Sequence, residues 1–280
     1  QFTAAAILLL AEEGKLSLED PISKHVENFP EKKNVVTIKH LLEHTSGIKS
    51  FTDLPSYREL MRHDVTHENI LDRFAAEPLQ FTPGEKYKYS NSGFYLLGMV
   101  IENVSGKPYE AFLKERVFSP LDMKHTYYDR SAKIIPGRAQ GYSRWGGKLT
   151  NARYLSMTQP FAAGALASSA EDLIVWQRAL VNHKVLTEDS FRQLTTPGKL
   201  ADGKPISYGL GTVLRRKNGQ LTIGHGGGIN GFRSSLVYYP ETDHTIVVLA
   251  NSENAQPAAI SAQIAEMLQQ NKPLNPSEVQ

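Results

Sequence analysis

The sequence predicts an α+β fold in which an antiparallel sheet is flanked by helices, with a helical subdomain. Three observations carry this. Apolar residues recur at helical spacing until about residue 180, short β-rich runs with hairpin turns follow from about residue 207, and an amphipathic helix comes last. Residues 2–13 are apolar almost all round, the pattern of a buried helix, and Gly14 stops it. The polar stretch from Lys15 to Asn34, with Asp20-Pro21 and Phe29-Pro30, reads as loop. Thr37 caps a short helix from Ile38 to His44, which Gly47 ends, and Glu68 to Ala76 forms another. Phe81-Thr82-Pro83-Gly84 is a turn. Phe94, Leu97, Gly98 and Ile101 share one helix face until Gly106 breaks the run, and a further helix covers Tyr109 to Val117. The capping box Ser169-x-x-Asp172 opens a helix through Leu180. The β-rich runs are Ser207 to Leu214, Leu221 to Gly224, Arg233 to Tyr239 and Thr245 to Ala250. Asn218-Gly219 and Pro240 to Asp243 supply hairpin turns between them. Ala258 to Leu268 is helical, and the Pro-bearing tail beyond it is expected to fray. On this reading residues 1–280 are one domain, mainly helical over 36–200, with strands and a helix over 204–270.

Composition narrows the function classes. A hydrophobic fraction of 40% and a charged fraction of 21% are ordinary for a globular chain that buries a core. A net charge of +2, with no basic run interleaved with aromatics, argues against nucleic acid as partner. The absence of cysteine excludes a disulfide scaffold, a thiol nucleophile and a Cys-based zinc site. No stretch reaches the roughly 20 apolar residues that a membrane span needs.

Two segments carry chemistry. In Tyr89-Ser90-Asn91 a phenol, once set beside an ammonium, loses its proton more readily and can relay protons. Asn91 offers a donor and an acceptor for a substrate amide and a catalytic lysine. The second segment is Ile223-Gly224-His225-Gly226-Gly227-Gly228-Ile229-Asn230-Gly231-Phe232. Glycines this dense imply close backbone approach, and on an edge strand they leave N–H groups for a substrate strand or an oxyanion. Gly226-x-Gly228-x-x-Gly231 also matches a dinucleotide fingerprint, but strand-like residues follow where that motif needs a helix, so a Rossmann site is rejected.

Other groupings are set aside. Ser46-Gly47-Ile48-Lys49 is the only literal Ser-x-x-Lys, yet it lies at a helix C-terminus, whereas such a nucleophile opens a helix with its lysine one turn on. Ser46 is read as structural. His40 and His44 flank Glu43 in the wrong order for a zinc helix and lack a third ligand, so they are read as solvated or capping. No Gly-x-Ser-x-Gly elbow occurs.

Tyr-x-Asn and a His- or Lys-headed triplet with a final Gly resemble the serine β-lactamase and penicillin-binding-protein superfamily, in its class C-related, DD-peptidase- and esterase-like branch. Phe81-Thr82-Pro83-Gly84, Pro120-Leu121-Asp122-Met123, Ala163 to Ser168, Tyr208-Gly209-Leu210-Gly211 and His40 to Ile48 extend the similarity over nearly the whole chain. Asp122 stands where Gly is commoner. The resemblance implies a β-lactamase/transpeptidase-like fold and a serine hydrolase acting through an acyl-enzyme on D-amino peptides, esters or β-lactam-like compounds. It implies Tyr89 as proton relay, Asn91 as the group that positions lysine and substrate, and the Gly228 N–H as one oxyanion donor. Gly226 and Gly227 would line the substrate, and His225, in the usual lysine's place, would steer its negative end with a pH-dependent charge.

No metal or organic cofactor is implied, the partner is a small-molecule or peptide substrate, and the family resemblance favours an exported protein. In this family a segment like residues 1–20 directly follows Ser-x-x-Lys. The expectation is therefore a serine four positions before Gln1, a lysine immediately before it, and upstream strands that complete the sheet. The alternative is an inactive fragment or a penicillin- or peptide-binding relative without turnover.

Overall fold

The structure, a computed structural model, describes residues 1–30, 32–217 and 219–269. Asn218 of the expected hairpin turn and the tail expected to fray lie outside the described residues. Helix α1 (Phe2–Glu12) is the axis of the core, with Thr3 to Leu10 all buried. An all-round apolar helix has no face to turn to water, so it is covered on every side. Phe2 packs its ring 4.2 Å from Trp176 and 5.5 Å from Phe118. Thr3, the one buried hydroxyl in this run, donates to the Ala162 carbonyl at 2.8 Å and bonds the Tyr109 hydroxyl at 2.7 Å. That satisfies a polar group which would otherwise be costly to bury.

The helical part follows. Helix α2 (Ile38–Leu42) opens on a capping box: Thr37 Oγ1 accepts from the His40 N–H, and His40 Nδ1 accepts from the Thr37 N–H at 3.2 Å. Helices α3 (Tyr57–Leu60), α4 (His67–Phe74) and α5 (Asn91–Ser105) come next, α5 ending on a left-handed Gly106. Helix α6 (Tyr109–Leu113) runs into a wider π turn at Lys114–Phe118, which completes the expected helix. Two small antiparallel pairs join Tyr127–Tyr128 (β1) to Leu166–Ala167 (β4), and Tyr142–Trp145 (β2) to Lys148–Asn151 (β3). Helices α7 (Ala170–Val181) and α8 (Glu188–Leu194) lead to the main sheet.

That sheet is an antiparallel meander of β5 (Val213–Lys217), β6 (Gln220–Ile229), β7 (Phe232–Tyr239) and β8 (His244–Ala250). Helix α9 (Pro257–Gln269) closes the described chain. Leu236 and Val247 face the α1 core, while Val237, Ile246 and Val248 pack with Ile264 and Ala265 of α9, so helices cover both faces. This is a mixed α+β architecture with its sheet between helices. No described helix is long and apolar enough to cross a membrane.

Two expected strands are corrected. Ser207 to Leu214 is not one strand, because β5 starts only at Val213. Before it Gly209 lies directly against the Leu194 carbonyl, and Gly211 turns left-handed against Ala4, so the chain loops there. The strand expected to stop at Gly224 continues through the glycines to Ile229, held by its register with β7. Helices α3 and α8 and the four short strands of the small pairs were not among the sequence expectations.

Candidate active site

The glycine-rich strand lies half outside the sheet. Its pairing with β5 ends at Gly224 opposite Val213, while its pairing with β7 runs on to Ile229 opposite Phe232. From His225 to Ile229 one edge of β6 therefore has no described strand beside it, and Gly226, Gly227 and Gly228 are exposed. Backbone crowding requires glycine at Gly224, while at Gly227 and Gly228 a side chain would have to displace a neighbouring side chain. A side chain at Gly224 would collide with the Leu236 carbonyl, one at Gly227 with the Ser234 hydroxyl, and one at Gly228 with the Arg233 guanidinium. Arg233 is itself anchored through Nε to the Glu253 carbonyl at 3.1 Å.

Facing this edge is a cluster of aromatic and imidazole rings. Tyr89 stacks 4.0 Å from His44 and stands 6.3 Å from His225. Tyr208 lies 5.8 Å from His225 and 5.6 Å from Tyr87, and Phe94 backs His44 at 5.0 Å. Hydrogen bonds thread the cluster. The Ser90 N–H donates to His44 Nδ1 at 3.1 Å, His44 Nε2 meets the Tyr208 hydroxyl at 3.2 Å, that hydroxyl meets His225 Nε2 at 2.9 Å, and His225 Nδ1 meets the Gly226 carbonyl at 2.6 Å.

The start of α1 lies close by: Gly211, three residues after Tyr208, packs against Ala4 and Phe94, and the half-buried Gln1 accepts from the Trp176 indole through its side-chain oxygen at 3.2 Å.

The electrostatics differ from what the motifs suggested. Burial pushes His225 down to about 4, so its ring is neutral at neutral pH. The pH-dependent positive charge expected there is therefore missing from the neutral range. Tyr89 is pushed up to about 12 by burial and by Tyr87, not down toward easy deprotonation, although one side of the residue remains exposed. Asn91, the first residue of α5, is tied back: its N–H donates to Ser50 Oγ at 3.1 Å, and its amide nitrogen to Thr52 Oγ1 at 3.0 Å.

Two residues gain weight that sequence reasoning did not give them. His44 is 1% exposed, not solvated, and both ring nitrogens are engaged. Tyr208 joins it to His225. Tyr208 carried a signal at the head of a Gly-x-Gly loop, whereas nothing in the sequence separated a buried His44 from a solvated one. Ser46 and Lys49 are apart in role. Ser46 is buried, with Oγ accepting from the Ile48 N–H at 3.2 Å, while Lys49 reaches Glu77 at 3.3 Å.

A sheet covered on both faces, a buried central helix and a glycine-rich strand with one open edge beside Tyr-x-Asn define the β-lactamase/transpeptidase fold. The chain belongs to the Beta-lactamase family, whose model matches residues 1–270. It is 31% identical over 258 residues to Protein flp of Staphylococcus aureus, covering 89% of this chain and 51% of that protein. This chain thus spans about half of that relative's length. Among solved structures, a D-stereospecific amidohydrolase from Streptomyces superposes with a TM-score of 0.82 at 29% identity, covering 94% of this chain and 82% of that one. A penicillin-binding protein from Bacillus halodurans gives 0.81 at 30%, covering 95% and 82%.

Proposed function

We propose that this chain forms most of the site of a serine hydrolase that passes through an acyl-enzyme on amide or ester donors. The attacking serine and the lysine that activates it are assigned to residues preceding Gln1, where the family motif would fall. Tyr89 relays a proton to the leaving group, Asn91 holds the lysine and the donor's amide through its carbonyl oxygen, and the N–H of Gly228 on the open β6 edge stabilises the oxyanion. Gly226 and Gly227 receive the donor as an added strand. The observation that carries this reading is the meeting of separate segments, His44, Tyr89, Tyr208 and His225, in one ring cluster at the open edge of β6. A neutral His225 favours donors read through a carbonyl over donors read through a carboxylate. The D-stereospecific amidohydrolase among the structural relatives is consistent with small amide donors.

The test is intact mass before and after a fluorophosphonate probe and a penicillin, on the 280-residue chain and on a chain extended upstream to include the family's motif. The reading expects a stoichiometric adduct on the extended chain only, formed more slowly after Tyr89→Phe. An adduct on the 280-residue chain would put the nucleophile inside it and overturn the placement. The raised pKa of Tyr89, a poor proton relay, favours as second reading a penicillin- or peptide-binding protein without turnover. Saturable penicillin binding without an adduct on either chain would select it.

A further inference from the structure

The bonds through His44, Tyr208 and His225 form a directed chain, and its two ends fix the direction. At one end the Ser90 N–H can only donate, so His44 Nδ1 is an acceptor. A neutral His44 then carries its proton on Nε2 and donates it to the Tyr208 oxygen. At the other end the Gly226 carbonyl can only accept, so His225 Nδ1 carries a proton. A neutral His225 then has a bare Nε2, which accepts from the Tyr208 hydroxyl. Every donor meets an acceptor, in one sense along the chain.

Protonating His225 breaks the pattern. Two N–H groups would then point at the Tyr208 oxygen, and the phenol proton would lose its acceptor inside a buried cluster. The chain thus selects the neutral ring.

The backbone adds a second, independent observation. His44 sits at φ +55°, the left-handed conformation at a helix end where glycine or asparagine is the easy choice. Around it the loop is laced down. The His44 carbonyl accepts from the Lys88 N–H at 2.9 Å, and the Thr45 carbonyl accepts from the Gly84 N–H at 2.8 Å. A bulky imidazole held in a sparsely populated backbone conformation, with both nitrogens used, marks a side chain retained for what its ring does.

We infer that His44 and Tyr208 are positioning residues that hold the His225 ring in its Nδ1–H tautomer and in one orientation against the open edge of β6. The inference rests on the acyl-transfer reading for its consequence but not for its geometry. The titratable and charged groups around the chain are Tyr87 and Tyr89 from the segment before α5, and Arg215, which faces Tyr87 from β5. In the reaction, a ring that can neither turn nor charge leaves the Gly226–Gly228 edge free for the donor.

The test is two-bond 1H–15N correlation of the histidine rings in the 280-residue chain, across pH 5.5 to 8, for the unaltered protein, Tyr208→Phe and His44→Asn. Phenylalanine removes only the hydroxyl, and asparagine suits the left-handed backbone, so both variants keep the fold, as the amide spectrum verifies. The unaltered chain is expected to show His225 protonated at Nδ1 alone throughout. In both variants His225 is expected to exchange between tautomers and to begin to protonate within this range. An unchanged single tautomer and unchanged titration in Tyr208→Phe would overturn the inference.

In the extended chain, Tyr208→Phe should slow probe acylation about tenfold, the scale of one lost hydrogen bond, and move the acid limb of its pH profile upward. Ring spectra as expected with no acylation by any form would leave the positioning intact and sink the hydrolase reading. Acylation with unmoved ring spectra would do the reverse.

Discussion

His44 makes the stability of this protein depend on pH in a way that can be worked out. It is pushed down from its ordinary 6.5 to about 3, first by burial and then by His225. In the unfolded chain the imidazole titrates near 6.5, so between pH 6.5 and about 3 the unfolded state holds a proton that the folded state lacks. Stability therefore falls as pH falls through this window, and this contribution is constant above it. Each pH unit well within the window is worth about 1.4 kcal/mol, and between pH 7.5 and 4.5 the loss from this one group is about 2.7 kcal/mol.

Other groups also titrate, and in His44→Asn their contributions cancel between the two proteins apart from that of His225, whose easier protonation in the variant acts in the same sense, so the His44 figure is a lower bound on the change. At pH 7.5 the variant should be less stable by about 1–3 kcal/mol, the cost of leaving the Tyr208 hydroxyl and the Ser90 N–H less well paired. At pH 4.5 that deficit should shrink by at least about 2.7 kcal/mol and can change sign. The assay is urea unfolding followed by circular dichroism at both pH values. A deficit that stays the same within about 0.5 kcal/mol would mean that His44 titrates alike in both states, and the buried neutral imidazole argued above would be wrong.

Three more outcomes test other links. Leu10→Ala, at a fully buried position of α1, should cost about 2–5 kcal/mol in the same unfolding assay, and a cost under about 1 kcal/mol would show that the α1 core is not packed there. Gly224→Ala would drive a methyl into the Leu236 carbonyl and pry β6 from β7. It should destabilise by about 1–3 kcal/mol and abolish probe labelling of the extended chain, whereas unchanged labelling would separate the β6 edge from the chemistry. Ser46→Ala should leave labelling of the extended chain unaltered, and loss of the adduct with the fold intact would return Ser46 to the candidate nucleophiles.

The fold was legible where local signals and tertiary demands agree. Residues 2–13 are apolar all round as a buried helix is, Thr37 and Ser169 cap helices, and the runs in 221–250 are β-rich and bounded by turn residues. The reading failed where a short element is made by its neighbours. Ser207 to Leu214 has strand-like residues, but Gly209 and Gly211 are spent on close approach to Leu194 and Ala4, contacts that no local pattern displays. The site split the same way. Tyr89, Asn91 and the His225 segment announce themselves through glycine density and motif spacing. His44 does not, because two histidines with a glutamate between them look the same on paper whether solvated or sealed.

What decides the chemistry of this site is the cost of burying charge, more than the identity of any single residue. A lysine at position 225 would keep its proton by paying in partners. An imidazole in the same dry surroundings sheds it, and its ring nitrogens become free to join a hydrogen-bond chain that a lysine, with donors only, could not close. The Tyr208 hydroxyl then has a donor on one side and an acceptor on the other, and the left-handed backbone at His44 puts the donor there. Exchanging one basic residue for another at the head of the Gly-Gly triplet thus gives Tyr208 and His44 their hydrogen-bonding partner, and under the acyl-transfer reading proposed above it would shift recognition of the donor from charge toward shape and hydrogen bonding.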